Sequence, residues 1–156
     1  MFAAVVSYLD ARQSHGSWIV RIEDIDPLRE EKFASEKIIT SLHAHGLVSD
    51  QAPSYQSKRA HLYDNALKHL FDHHNSYYCP CSRKQLRDNE GRHSESCRSG
   101  ASRIDNSAVK FMSSDVLYGW NDCFLGDIKA EPSEDFVLRR KEGYYAYQLA
   151  VVCDDI

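Results

Sequence analysis

The sequence predicts an α/β domain with a small, metal-ordered insertion, and three features carry that reading. Apolar residues recur at helical spacing in three stretches, and a short apolar, β-branched run between the first two has the make-up of a buried strand. Farther on, three cysteines and a histidine crowd a segment otherwise too polar to form a core.

The elements follow in order. Phe2, Val5, Val6 and Leu9 stand at i, i+3, i+4 and i+7, so the chain opens with an amphipathic helix, stopped near Gly16, whose inward face they would form. No Ser, Thr, Asp or Asn precedes that face, so the helix starts uncapped and the front of the domain reads as cut away. Residues 18–22 follow a glycine and read as a buried strand in a helix-strand-helix unit, ending in Glu23, Asp24 and Asp26. Asp26 and Pro27 offer an N-cap and a first-turn proline for a helix with Phe33, Ile38, Ile39 and Leu42 inward, running to Gly46. A third helix starts at Ser57, with Tyr63, Ala66, Leu67, Leu70 and Phe71 as its stripe. Past Asn75, residues 77–99 have few aliphatics and cannot make a conventional core, so something else must order them. Residues 108–111 read as a strand, and 136–138 with 144–147 flank Lys141, Glu142 and Gly143 as a hairpin. Residues 149–153 add one short apolar element before the chain stops abruptly. There is no internal repeat and no low-complexity tract.

Composition narrows the function classes. At 156 residues, 42% hydrophobic and 27% charged, the chain has the size and make-up of one globular domain. Its longest apolar runs fall far short of the roughly 20 residues that span a bilayer, and the N-terminus lacks a basic lead and a small-residue cleavage site. The expectation is a cytoplasmic protein with no membrane contact. A net charge of −4 argues against bulk coating of nucleic acid, so any RNA contact must be local. Five cysteines, an odd count with three inside nineteen residues, fit a metal cluster plus two bystanders better than disulfides.

Cys79, Cys81, His93 and Cys97 supply three thiolates and an imidazole, the donor set of a tetrahedral structural zinc. The single residue between Cys79 and Cys81 puts both on one side of an extended strand, and the i, i+4 spacing puts His93 and Cys97 on one face of a helical turn. With all four positions taken by protein, the ion has no open place for water and is structural rather than catalytic. Ligand type and spacing favour zinc over iron. Cys123 and Cys153 lie far off and read as core thiols. The arginines and lysine around the cluster, Arg83, Lys84, Arg87, Arg92, Arg98 and Arg103, leave open a non-enzymatic zinc-binding module that touches RNA, although stacking aromatics are not interleaved among them.

Glu23 closes a buried strand ahead of a helix, where open α/β folds build ligand crevices, and it could bind an amine. Asp26 reads as the helix cap instead. At these residues the chain becomes familiar. Residues 17–30, SWIVRIEDIDPLRE, resemble the segment of class I glutamyl-tRNA synthetases and their shortened paralogue that follows the first nucleotide-binding motif. Residues 144–155, YYAYQLAVVCDD, resemble a second stretch of that family, and its queuosine-modifying branch carries a zinc cluster spaced as this one is.

The resemblance implies a partial Rossmann-like class I aminoacyl-tRNA synthetase catalytic domain over 1–156, with a zinc-binding insertion at about 77–100. It further implies that Glu23 binds the amino group of substrate glutamate and that Tyr147 hydrogen-bonds in the same pocket. The implied reaction is ATP-dependent activation of L-glutamate and its transfer to queuosine of tRNA(Asp) by a monomer, with structural Zn2+. Catalysis of that kind is positioning and charge stabilisation, without a covalent enzyme intermediate. Neither the HIGH-like nor the KMSKS-like signature occurs in the 156 residues, so the chain is expected to be truncated at both ends, inactive alone and of marginal stability. A piece of a full glutamyl-tRNA synthetase is the alternative within the same class.

Overall fold

In the computed structural model of the chain, residues 1–88, 95–99, 105–114, 116, 118–130 and 134–156 are described. They form two compact units, Met1–Ala60 and His61–Ile156. No described helix is long and apolar enough to cross a membrane.

In the first unit α1 (Phe2–Gln13) leads to β1 (Arg21–Ile22), α2 (Ala34–Ala44) and β2 (Ser54–Tyr55), closed by a 3-10 turn, Gln56–Lys58. β1 and β2 pair in parallel, Arg21 opposite Ser54 and Ile22 opposite Tyr55, with α2 as the crossover that parallel strands require. The extended segment reaches farther back than β1. The Asp50 N–H donates to Trp18 O at 2.9 Å and the Ser54 N–H to Val20 O at 3.0 Å. Trp18 and Ile22 are buried while Ile19 is exposed, so the run expected to be buried throughout alternates instead.

The opening helix is present, but its inward face is not the expected one. Phe2, Val5, Val6 and Leu9 are exposed, Phe2 at 84%. Ala4, Tyr8 and Ala11, at i, i+4 and i+7, pack instead against the core of Trp18, Leu42 and Leu47. The indole decides this. Two alanines let the helix lie close, Tyr8 meets Trp18 edge-on at 5.4 Å, and Ser7 Oγ accepts the indole N–H at 3.0 Å. Asp50 then fastens the layer, accepting both Arg12 Nη1 and Nη2 at 2.7 and 2.8 Å and the Trp18 N–H at 2.6 Å. These bonds, the Arg12 pair foremost, hold the Asp50 carboxyl below its ordinary range.

The second helix begins at Ala34, not at Pro27. Residues 27–29 make only a turn, in which Asp26 O accepts the N–H groups of Arg29 and Glu30, and the Asp26 side chain pairs with Arg29 at 2.9 Å. Phe33 explains the delay: its φ of 63° is left-handed, which no residue inside an α-helix adopts, so the helix starts after it. Phe33 and Ile38 are exposed, and of the expected face Leu42 is buried with Ile39 half-buried.

The second unit opens with α3 (Ala60–Asp72), whose stripe is as expected: Tyr63 and Leu67 are buried, with Ala66, Leu70 and Phe71 half-buried. Strands β3 (Ser76–Cys79), β4 (Ala108–Phe111) and β7 (Val137–Arg139) form an antiparallel sheet in the order β3-β4-β7. Cys79 lies opposite Ala108. Helices α4 (Arg83–Asp88) and α5 (Glu95–Arg98) follow β3. The segment expected to lack a core therefore supplies Tyr77 and Cys79 to one, because β3 lies beside the buried Ala108, Val109 and Lys110. Hairpin β5 (Gly119–Asp122) to β6 (Gly126–Lys129) was not legible in advance; the Asp122 carboxylate takes two turn N–H groups and Gly126 turns the chain at φ 75°.

The expected hairpin around residues 141–143 narrows to one bridge, Arg139 to Tyr145. Gly143 turns the chain at φ 93°, and Tyr147 already begins α6 (Tyr147–Asp155). α6 is tied to α3 by the Tyr63 hydroxyl, which donates to the Asp154 carboxylate at 3.0 Å, while Tyr145 packs edge-on at 5.1 Å. Cys123 and Cys153 are not core thiols. Cys123 is exposed in the β5–β6 turn, and Cys153 is half-buried on α6.

Candidate functional site

Among the described residues, the expected site residues fall in both units. In the second unit β3 ends at Cys79, and the chain turns through Pro80 to Cys81. Here Ser82 caps α4 reciprocally: its Oγ accepts the Gln85 N–H at 3.2 Å and Gln85 Oε1 accepts the Ser82 N–H at 2.8 Å. Lys141 Nζ donates to Pro80 O at 2.6 Å and pins the bend between the two cysteines. Cys97 returns on α5, which packs on β3.

The three sulfurs converge. Their Sγ atoms all lie within 4.8 Å of one another, and Cys81 Sγ is 3.6 Å from Cys97 Sγ. Two thiolates on a tetrahedral zinc, with Zn–S near 2.3 Å, stand about 3.7 Å apart, so the spacing fits the ion. It is too long for a disulfide, and none of the three is disulfide-bonded. Cys79 and Cys97 are buried and Cys81 half-buried. Burial pushes the Cys79 thiol up to about 12, aided by the neighbouring sulfurs. Thiolates in this place therefore need a cation to offset their charge, which is the setting in which a bound metal deprotonates its ligands. The remaining expected ligand, His93, lies outside the described residues.

Around the sulfurs, Tyr77 packs with Cys79 and Cys97, and Met112 lies against them. The Tyr77 hydroxyl donates to Asp135 Oδ2 at 2.7 Å, and Arg98 grips the same carboxylate with Nε and Nη2 at 2.8 and 2.7 Å. Burial works to raise the Asp135 pKa, but the Arg98, Tyr77 and Ser113 hydrogen bonds outweigh it and hold the carboxyl below its ordinary range. Asp135 does not stand out in the sequence, since a lone aspartate before a strand has no signature.

In the first unit Glu23 stands directly beyond the carboxyl end of β1 and is exposed, with Arg21 Nε 3.5 Å from its Oε1. Next to it Asp24 bridges to the end of β2: Oδ1 accepts the Ser57 N–H at 2.8 Å and Oδ2 the Ser57 hydroxyl at 2.6 Å. The clamp joins the carboxyl ends of both parallel strands, a pairing across 33 residues that spacing could not reveal. Tyr147 belongs to the second unit and is exposed as the first residue of α6. The structure thus brings Cys79, Cys81 and Cys97 together, and places Glu23 and Tyr147 each at an element end in its own unit.

Residues 2–156 match the family described as tRNA synthetases class I (E and Q), catalytic domain. Among curated proteins, the glutamyl-Q tRNA(Asp) synthetase of Idiomarina loihiensis is 43% identical over 159 residues, covering 100% of this chain and 56% of that protein. The glutamyl-Q tRNA(Asp) synthetase of Cronobacter sakazakii is 41% identical over 99% of this chain and 53% of that protein. The chain spans about half the length of the curated relatives it matches. A glutamate tRNA ligase from Elizabethkingia meningosepticum, crystallised with its amino acid, has the same fold, with a TM-score of 0.82 over 97% of this chain and 37% of that one at 24% identity. The expected α/β catalytic fold is therefore present, and the chain belongs to the class I tRNA synthetase (E and Q) catalytic-domain family.

Proposed function

We propose that this chain is part of the catalytic domain, 1–156, of an enzyme that activates L-glutamate with ATP and transfers it to queuosine of tRNA(Asp). The observation that carries the proposal is the place of Glu23, directly beyond β1 in a parallel pair whose second strand runs into Gln56 and Ser57. Ligands of open α/β sheets bind beyond such strand ends, and a carboxylate there is the partner a substrate ammonium needs. The names of the Idiomarina and Cronobacter relatives support glutamate as the amino acid and queuosine-bearing tRNA(Asp) as the acceptor. Tyr147 contributes its hydroxyl to recognition of the amino acid. The reaction proceeds by positioning and electrostatic stabilisation of the phosphates.

Cys79, Cys81, Cys97 and His93 hold a structural zinc that orders the insertion at about 77–100. The convergence of the three described thiols supports this assignment. The ion supplies folding free energy and no chemistry, because four protein ligands leave no place for water.

The test is glutamate-dependent exchange between ATP and pyrophosphate, followed by transfer of labelled glutamate to tRNA(Asp) with and without queuosine. It is run on these 156 residues alone and on a chain extended to carry HIGH-like and KMSKS-like signatures. The extended chain turns over, the short one does not, and Glu23→Gln raises KM for glutamate by roughly 10- to 100-fold, the worth of a charged hydrogen bond. Charging of tRNA(Glu) in place of queuosine-bearing tRNA(Asp) would overturn the acceptor. Exchange driven by another amino acid would overturn the substrate.

A further inference from the structure

Asp135 lies two residues before β7, and its side chain is only 3% exposed. Among the described residues, four donor groups converge on its carboxylate. Arg98 Nε and Nη2 reach it at 2.8 and 2.7 Å, the Tyr77 hydroxyl at 2.7 Å, and the Ser113 N–H at 2.9 Å. Lys110 Nζ donates to the Asp135 carbonyl at 3.1 Å and moors its backbone to β4. Two of these partners flank thiols of the cluster: Tyr77 precedes Cys79 by two residues on β3, and Arg98 directly follows Cys97 on α5.

We infer that Asp135 is the positioning residue of the metal centre, holding α5, and with it the Cys97 thiol, against β3 before a cation arrives. This rests on the reading of the three cysteines as metal ligands. The described turn of α5, Glu95–Arg98, packs on β3, and a single helical turn makes too few bonds to fix its own place on a sheet. α5 therefore needs an anchor outside itself. The two-pronged grip of Arg98 on Asp135 fixes orientation as well as distance, as only a planar fork on a planar carboxylate does. Tyr77 and Ser113 fix the carboxylate in turn, so the anchor is tied to β3 and to the end of β4. The thiols then meet at cation-binding distance without the cation having to draw α5 in.

The test uses the 156-residue chain loaded with Co2+, whose visible bands report thiolate coordination, and follows release of the ion to a chelator at a temperature below the melt of every variant. Asp135→Asn keeps the volume but presents an amide N–H to donors that need an acceptor. It is expected to speed release by about 10- to 100-fold, the usual effect of losing a partner that orients metal ligands. Arg98→Lys keeps the charge, loses the fork, and is expected to speed release in the same direction, so the proposal stays testable should Asp135→Asn fail to fold. Leu67→Ala, which weakens the same unit away from the sulfurs, leaves release near wild type. Wild-type rates in both clamp variants overturn the positioning role alone. Equal acceleration by Leu67→Ala also overturns it, since the clamp would then act only through general stability. A wild-type chain that binds no Co2+ overturns the metal reading itself.

Discussion

Removing Cys97 tests the metal centre most directly. Its thiol is buried and stands 3.6 Å from Cys81 Sγ, so Cys97→Ser deletes one soft donor at the centre of the convergence. A four-donor structural zinc contributes on the order of 10 to 16 kcal/mol in small peptides. An even share is about 2.5 to 4 kcal/mol per donor, which is roughly a 10²- to 10³-fold loss of affinity. Serine cannot restore it, because its hydroxyl is a hard oxygen that stays protonated where a thiol ionises. The assay is competition for Zn2+ against a chromophoric chelator at neutral pH, with metal content measured on each chain. Cys123→Ser is the control, since that thiol is exposed in the β5–β6 turn and outside the cluster. Wild-type affinity in Cys97→Ser, or an equal loss in Cys123→Ser, would refute the reasoning.

Three further outcomes follow from particular contacts. Leu67→Ala, at a side chain 4% exposed under α3, is expected to cost about 2 to 5 kcal/mol and lower the melting temperature in a thermal scan; an unchanged melt would show that the site collapses around the missing atoms. The metal-free chain holds the Cys79 thiol protonated, its pKa raised by burial from 9.0 to about 12. The stability this contributes is complete below pH 9 and is lost as pH rises toward 12, so the urea midpoint of the metal-free chain falls across that window more steeply than that of Cys79→Ala. A midpoint that rises there would reverse the sign and sink the argument. Phe33 holds φ 63° and is exposed, so Phe33→Gly relieves left-handed strain of about 1 kcal/mol and raises the melting temperature; a drop would mean that its ring does more than cap α2.

Local chemistry was legible where a residue type has few other uses. Three cysteines in a polar stretch pointed to one cluster, and the structure brings their sulfurs together. The stripe of α3 was equally plain, because Tyr63, Leu67 and their neighbours repeat at the helical period with no rival face. In the first helix periodicity pointed to the face from Phe2 to Leu9, yet the face that packs is Ala4, Tyr8 and Ala11. Hydrophobicity measures what could be buried; the shape of Trp18 and the acceptor offered by Ser7 decided what is.

By itself, then, the sequence determined the presence of the first three helices, the strand that leads to Glu23, the three converging cysteines and the family, because each is written in local spacing or in contiguous motifs. The tertiary structure decided what lies far apart in the chain. It set the pairing of β1 with β2, the clamp of Asp24 on Ser57 across 33 residues, and the grip of Asp135 on Arg98 across 37. It also ended the expected start of α2 by placing Phe33 in a left-handed turn. Such contacts depend on which surfaces meet after collapse, and a carboxylate carries no mark in the sequence of the partner it will find there.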